Sequence, residues 1–235
     1  MSILEFEKSY CKVLEKQPEQ LDTLYRELTS HGKISLSDLE ITKPILLRMK
    51  AYYEVQDKIK EFLNKRYSPP ASDFFVEAVS FYLKAVLDTH NTGLEVHSER
   101  QIKQKRGAIR PDISIWEGED VFAIIECKTQ LGWNRRFDKN QKKYKWEIDF
   151  TEREGKLRRE FPKAQAFLLV LTEENWDGFQ DDDPRVRKQF FALLHKTFWP
   201  TQVTEENIEG AIKTPIEGLF KKILILADKE ENIRR

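Results

Sequence analysis

The chain has 235 residues with 40 basic and 40 acidic side chains. Its formal charge therefore argues neither for nor against a polyanionic partner, and only local clusters can. The length and a 40% hydrophobic content suffice for one sizeable core with a small accessory region. Two distant cysteines, Cys11 and Cys127, exclude a disulfide framework or a CxxC metal site. Acidic residues near the N-terminus and the lack of a long apolar run predict a cytoplasmic protein with no signal peptide and no membrane partner.

Residues 1–67 read as helical. Leu4, Cys11 and Leu14, then Leu21, Leu24, Tyr25 and Leu28, recur at helical spacing. Pro18 is expected to open a second helix that ends before residues 31–32. A longer helix is expected over about 43–65, with Ile45, Leu46, Met49, Tyr52, Tyr53, Ile59, Phe62 and Leu63. No catalytic constellation falls here, so the region reads as a helical cap or a partner-binding element.

Ser68, Pro69 and Pro70 mark a boundary, because consecutive prolines cannot continue a helix. The expected division is a helical region over 1–67 and a second domain over 68–235. Ser72 or Asp73 is expected to cap a helix over about 74–89, with Phe75, Val79, Tyr82 and Val86 as its main apolar stripe. Glu77 falls on the other side, near Lys84 and Asp88, where it is either merely solvated or functional. Residues 94–103 alternate apolar and polar and predict a strand.

Residues 110–129, RPDISIWEGEDVFAIIECKT, read as two short strands joined by a tight acidic turn over 117–120. The second strand, 121–127, carries the run VFAII, which suits a strand covered on both faces, and Cys127 reads as a small buried thiol. Placing Glu126 and Lys128 at its end requires partners for both charges. Farther on, 134–160 is charged and reads as mostly helical, with Phe137, Tyr144, Ile148 and Phe150 inward. The run AFLLVL over 166–171 predicts a central strand. Residues 177–183 form an acidic loop, 185–197 predict a helix, and 215–228 a final packed helix. The fold class that follows is α/β, a mixed sheet flanked by helices.

Hairpin register decides whether the charges act together. Glu126 and Lys128 are two apart on a strand and share a face. A three-residue loop over 118–120 would pair Glu117 with Val121 and set Asp112 across from Glu126. The same register pairs Ile113 with Ile125 and Ile115 with Ala123 on the opposite face. A one-residue slip would scatter both sets. Two carboxylates opposed at roughly 5 Å between Cβ atoms repel unless a cation lies between them. Such oxygen ligands suit Mg²⁺, with Mn²⁺ as a substitute and the Cys127 backbone carbonyl as a further ligand. Lys128 beside them can hold an attacking water or neutralise charge on a phosphate. The matching chemistry is metal-assisted phosphodiester hydrolysis.

Pro111-Asp112, thirteen intervening residues and Glu126-Cys127-Lys128 resemble the signature of the PD-(D/E)xK nuclease superfamily. The resemblance spans about residues 70–172. It implies a restriction-endonuclease-like core of helix, three strands, helix and strand, with Asp112 and Glu126 binding metal and Lys128 positioning the nucleophile. Glu77 would stand for the family's upstream acidic residue. A second string, Glu154-Gly155-Lys156, lies in a charged helix with no strand behind it and reads as a false copy. Gln141 and Tyr144 are one residue short of the Gln-x-x-x-Tyr pair of RecB-type members, and His90 and His97 read as ordinary polar positions.

Basic residues flank the hairpin: Arg100, Lys103, Lys105, Arg106 and Arg110 before it, and Arg135, Arg136, Lys139, Lys142, Lys143 and Lys145 after it. Such clusters suit backbone neutralisation, although the second is equally a solvated helix face. Gln130, Trp133 and Asn134 follow the second strand and are placed to touch or stack on bases. The expectation is a Mg²⁺-dependent DNA endonuclease of restriction or genome-defence type, acting as a homodimer through the N-terminal helices. A catalytically inactive nucleic-acid-binding or assembly module, and a nuclease for RNA or branched DNA, remain the alternatives.

Overall fold

The computed structural model describes residues 2–103, 107–130, 137–140, 143–173 and 186–234. Lys105, Arg106, Trp133, Asn134, Arg135, Arg136, Lys142 and the acidic stretch 177–183 lie outside them. The architecture is α/β, a mixed five-stranded sheet flanked by helices. In chain order the strands of this sheet are β1 (Glu95–Ser98), β4 (Ile113–Glu117), β5 (Asp120–Gln130), β8 (Gln165–Thr172) and β9 (Phe190–Leu194), and they lie side by side in that sequence. β1, β4 and β5 pair antiparallel, whereas β5, β8 and β9 pair parallel. Two short pairs stand apart: β2 (Ile102–Lys103) with β3 (Ala108–Ile109), and β6 (Phe137–Asp138) with β7 (Lys143–Tyr144).

Alternation along the strands builds two apolar layers. Ile113, Ile115, Ile125, Phe167, Leu169 and Leu193 face helices α2 (Thr42–Phe62), α3 (Ser72–Thr89) and α6 (Ile216–Arg234). Trp116, Ile124, Leu168 and Ala192 face α4 (Lys145–Glu160), which contributes Trp146, Phe150 and Leu157. Ile45, Leu46 and Met49 of α2 belong to the same core as Phe75 and Leu83 of α3. Helix α1 (Ile3–Ser30) touches α3 through its second half.

Several expected elements differ. Pro18 lies inside a single continuous helix and does not start a second one. It removes one backbone hydrogen bond, while the capping box of Ser2 and Glu5 and the other turns hold. Neither Ser72 nor Asp73 caps α3: the N-cap is Ala71, and both lie in the first turn. The strand expected over 94–103 breaks at Glu99, whose φ of 51° turns the chain out of β1 and into β2. Among the described residues of the segment over 134–160 only 145–160 are helical, and 137–138 and 143–144 form the small β6–β7 pair.

The largest correction concerns 185–197. It holds a short helix, α5 (Val186–Gln189), and then strand β9, not one helix. All five residues of β9, Phe-Phe-Ala-Leu-Leu, are buried. A continuous apolar run of that length has no period by which to separate a buried strand from a buried helix. Backbone bonds from Lys213 N–H to the Leu193 carbonyl and from Thr214 N–H to the Ala192 carbonyl cover its outer edge.

Candidate functional site

Hairpin β4–β5 closes by a two-residue turn, Gly118 and Glu119, and not by the expected three-residue loop. A positive φ at Gly118 alone is the pattern of a type II′ turn. Glu117 therefore pairs with Asp120 and Trp116 with Val121, and the register shifts before Ile115 pairs with Ala123. Phe122 is the unopposed residue. It and Ala123 both enter the layer beneath α3, as a β-bulge allows. The bulge absorbs the one-residue difference, so Ile113 pairs with Ile125 as expected.

At the far end of this hairpin the expected charged residues meet. Asp112 stands just before β4, where its carbonyl accepts from the Glu99 N–H at 3.0 Å. Its Oδ2 accepts from the Cys127 N–H at 2.7 Å and from Lys128 Nζ at 3.1 Å. Lys128 Nζ also donates to the Cys127 carbonyl at 3.0 Å and lies 3.9 Å from Glu126 Oε2. One ammonium is thus surrounded by the two carboxylates and the main-chain carbonyl proposed as metal ligands. Among the described residues no three His, Cys, Asp or Glu side chains converge to hold a metal. The donor set is two carboxylates and a carbonyl, all oxygen, as hard cations such as Mg²⁺ prefer.

Glu126 is only 5% exposed because its face of β5 lies under α4. Arg153 Nη1 donates to its Oε2 at 2.5 Å and reaches the Arg110 carbonyl at 3.4 Å. Glu126 Oε1 is buried and has no hydrogen-bond partner among the described residues, so the carboxylate is only partly satisfied by Arg153. Burial pushes the Glu126 pKa above its ordinary value, helped by the Asp112 charge and opposed by Arg153 and Lys128. Burial likewise pushes the Cys127 thiol well up, consistent with a packing role.

The sign of the Glu126 shift gives a testable pH dependence. A carboxyl whose folded pKa is raised favours the fold below its unfolded pKa, and that contribution is lost as pH rises through the folded value. A cation at Glu126 must also displace a proton that burial has made more tightly held. The rise in melting temperature on adding Mn²⁺ is therefore expected to grow as pH climbs out of the ordinary Glu range. A Mn²⁺ shift that stays constant as pH is taken through that range would contradict this.

A cleft of about 740 Å³ opens beside the cluster, lined by Asp112, Cys127, Lys128, Thr129 and Gln130 and, across from them, by α3 and α1. Glu77 is exposed and lines this cleft, as do Asp73, Ser80, Lys84, Ser98 and Glu99. Glu126 is not among the lining residues and reaches the cluster from the α4 side. Of the expected nucleic-acid contacts, Gln130 lines the cleft and Lys103 and Arg110 are exposed beside the hairpin, while Lys143 lies in β7. Arg100 stacks over Trp116 at 3.9 Å. His90 is bonded to the Ile34 carbonyl, and Glu154 of the false copy pairs with Arg158 and accepts from Gln189.

Arg153 was not among the expected site residues. Its position is legible in retrospect: Trp146, Phe150, Arg153 and Leu157 are spaced as one helix stripe, and the other three are buried against the sheet. A cation at an inward position of that stripe needs an anion on the facing strand.

No protein-family model matches the sequence, and no curated protein matches it significantly. The structure is similar to a solved structure described as "native BbvCI A2B2 tetramer at low resolution", with 12% identity over 97% of this chain and 92% of that one, at a TM-score of 0.37. A likeness so distant carries no argument about activity.

Proposed function

We propose that this chain is a Mg²⁺-dependent phosphodiesterase acting on DNA, an endonuclease of restriction or genome-defence type with a PD-(D/E)xK core. The observation that carries the reading is the convergence of Asp112 Oδ2, Glu126 Oε2 and the Cys127 carbonyl on one ammonium beside an open cleft. The order α3, β1, β4, β5, α4, β8 supports it, being the order the resemblance implies. Asp112, Glu126 and the Cys127 carbonyl would hold the cation. When bound, that cation supplies Lewis-acid stabilisation of phosphate charge and lowers the pKa of a water.

Lys128, released from the carboxylates, then serves as the donor that orients the attacking water or offsets charge on the phosphate oxygens. Glu77 faces the same cleft and is the candidate third acid. The expected result is that purified protein nicks or linearises plasmid with Mg²⁺ and not with EDTA. A cleavage signal that survives EDTA, or none on any DNA, would reject the reading.

Cutting both strands favours a two-fold dimer. We place its contact on α1, whose Ile3, Leu4, Tyr10, Val13 and Leu14 are exposed, since apolar surface of that kind is normally covered. Sedimentation equilibrium is expected to give a dimer that Leu4→Glu with Val13→Glu converts to a monomer. A monomeric wild type would exclude it.

A second reading is favoured by one observation. Asp73, Glu77 and Glu99 line the cleft, and the site carboxylates are already neutralised by Lys128 and Arg153. A non-catalytic assembly module would keep such a closed network as structure. Salt-sensitive DNA binding without metal-dependent cleavage would establish that reading, and RNA and branched DNA in the same substrate panel separate the remaining nuclease variants.

A further inference from the structure

Glu126 is held by a side chain that the proposed hydrolysis does not use. Arg153 Nη1 donates to Glu126 Oε2 at 2.5 Å, and that same oxygen lies 3.9 Å from Lys128 Nζ. The carboxylate oxygen nearest the centre of the cluster is therefore the one Arg153 occupies. The other oxygen, Oε1, is buried and has no hydrogen-bond partner among the described residues. Apart from Glu126, Arg153 has the Arg110 carbonyl at 3.4 Å, a weak contact at that length.

The guanidinium is well placed to leave. Its side chain is 37% exposed, and Asp149, exposed and four residues earlier on α4, stands at the spacing where helix side chains pair. Burial acts to lower the Arg153 pKa, but the Glu126 hydrogen bond and the charges of Glu126, Asp112 and Asp149 together hold it above its ordinary value. Asp149 is thus already within electrostatic reach.

We infer that Arg153 is an exchangeable counter-ion of the cation site: it neutralises Glu126 in the metal-free protein, yields Oε2 to the entering divalent cation and turns along α4 to Asp149. The inference rests on the proposed reading of Asp112 and Glu126 as cation ligands. A carboxylate as buried as Glu126 needs a counter-charge at every stage. A guanidinium and a divalent ion on one oxygen repel each other, so exchange is favoured over addition. Arg153 is then a positioning and loading residue that sets how much cation is needed, and it touches neither substrate nor the reacting phosphate.

The test is calorimetric titration of Mn²⁺ into the full-length protein, with melting temperatures measured with and without Mn²⁺. Arg153→Met is expected to lower the melting temperature of the metal-free protein and to bind Mn²⁺ on the order of tenfold more tightly, equivalent to ~1.4 kcal/mol. Arg153→Gln, which retains a neutral donor for Oε2, is expected to fold in any case and to bind Mn²⁺ more tightly than wild type. Asp149→Asn is expected to leave the metal-free melting temperature unchanged and to weaken Mn²⁺ binding about twofold, the scale of an i,i+4 pair. That weakening is expected to vanish in the Arg153→Gln background.

Unchanged or weaker Mn²⁺ binding by both Arg153 variants, with wild-type binding abolished by Asp112→Asn, would overturn the exchange and leave the cation site standing. A wild-type protein that binds no Mn²⁺ would overturn both.

Discussion

Asp112→Asn and Lys128→Ala are each expected to lower Mg²⁺-dependent plasmid cleavage by about 100- to 1,000-fold, the scale seen when one preorganised electrostatic group is removed from a transition state. The two losses should have different origins. Asp112 Oδ2 accepts from the Cys127 N–H, and asparagine retains an acceptor for that bond, so the hairpin end is preserved while the ligand charge is lost. Mn²⁺ binding should fall with activity. Lys128 is the cation now held among the oxygens. Its removal should leave Mn²⁺ binding intact or tighter while turnover is lost. Full cleavage activity in either variant would remove the assignment, and equal loss of metal binding in both would deny Lys128 its separate role.

Glu217→Ala is expected to destabilise the protein by about 3 kcal/mol, read as a lower denaturation midpoint. Glu217 is 3% exposed and lies in the first turn of the last helix, yet its carboxylate serves another element. Its Oε1 accepts from the Ile41 N–H at 2.7 Å and the Thr42 N–H at 2.9 Å, and its Oε2 from the Thr42 hydroxyl. These are orphan donors at the start of α2, which has no side-chain cap of its own. Removing the carboxylate leaves buried N–H groups unsatisfied, at about 1–3 kcal/mol each, and deletes an anion from a helix N-terminus. Glu217→Gln retains an acceptor for both N–H groups and should recover roughly half of the loss. A Glu217→Ala variant as stable as wild type would show that water replaces the cap.

Much of the candidate site is legible in the order of residues. Asp112, Glu126 and Lys128 stand together in a strand pattern in which apolar and charged residues choose the same register. That register holds at Ile113 and Ile125 even though the turn is one residue shorter than expected. The hydrophobic pairs govern because a slip would move every isoleucine of β4 to the wrong face. The bulge at Phe122 is the local cost of keeping them in place. Strand β9 was illegible for a related reason: with all five residues buried, no alternation marks it, and only pairing along β8 decides that it is a strand.

What lies over each face of the sheet is a different matter. Sequence by itself determined the hairpin, the shared face of Glu126 and Lys128, the stripe of α3 and the central strands, because each rests on a period of two or 3.6 read within a short window. Only the tertiary structure decided that α4 covers Glu126, that Arg153 is its partner and that Glu217 caps a helix 175 residues earlier at Thr42. Those are contacts between charges on separate elements, and no local period encodes which buried carboxylate a distant helix will bring its donor to.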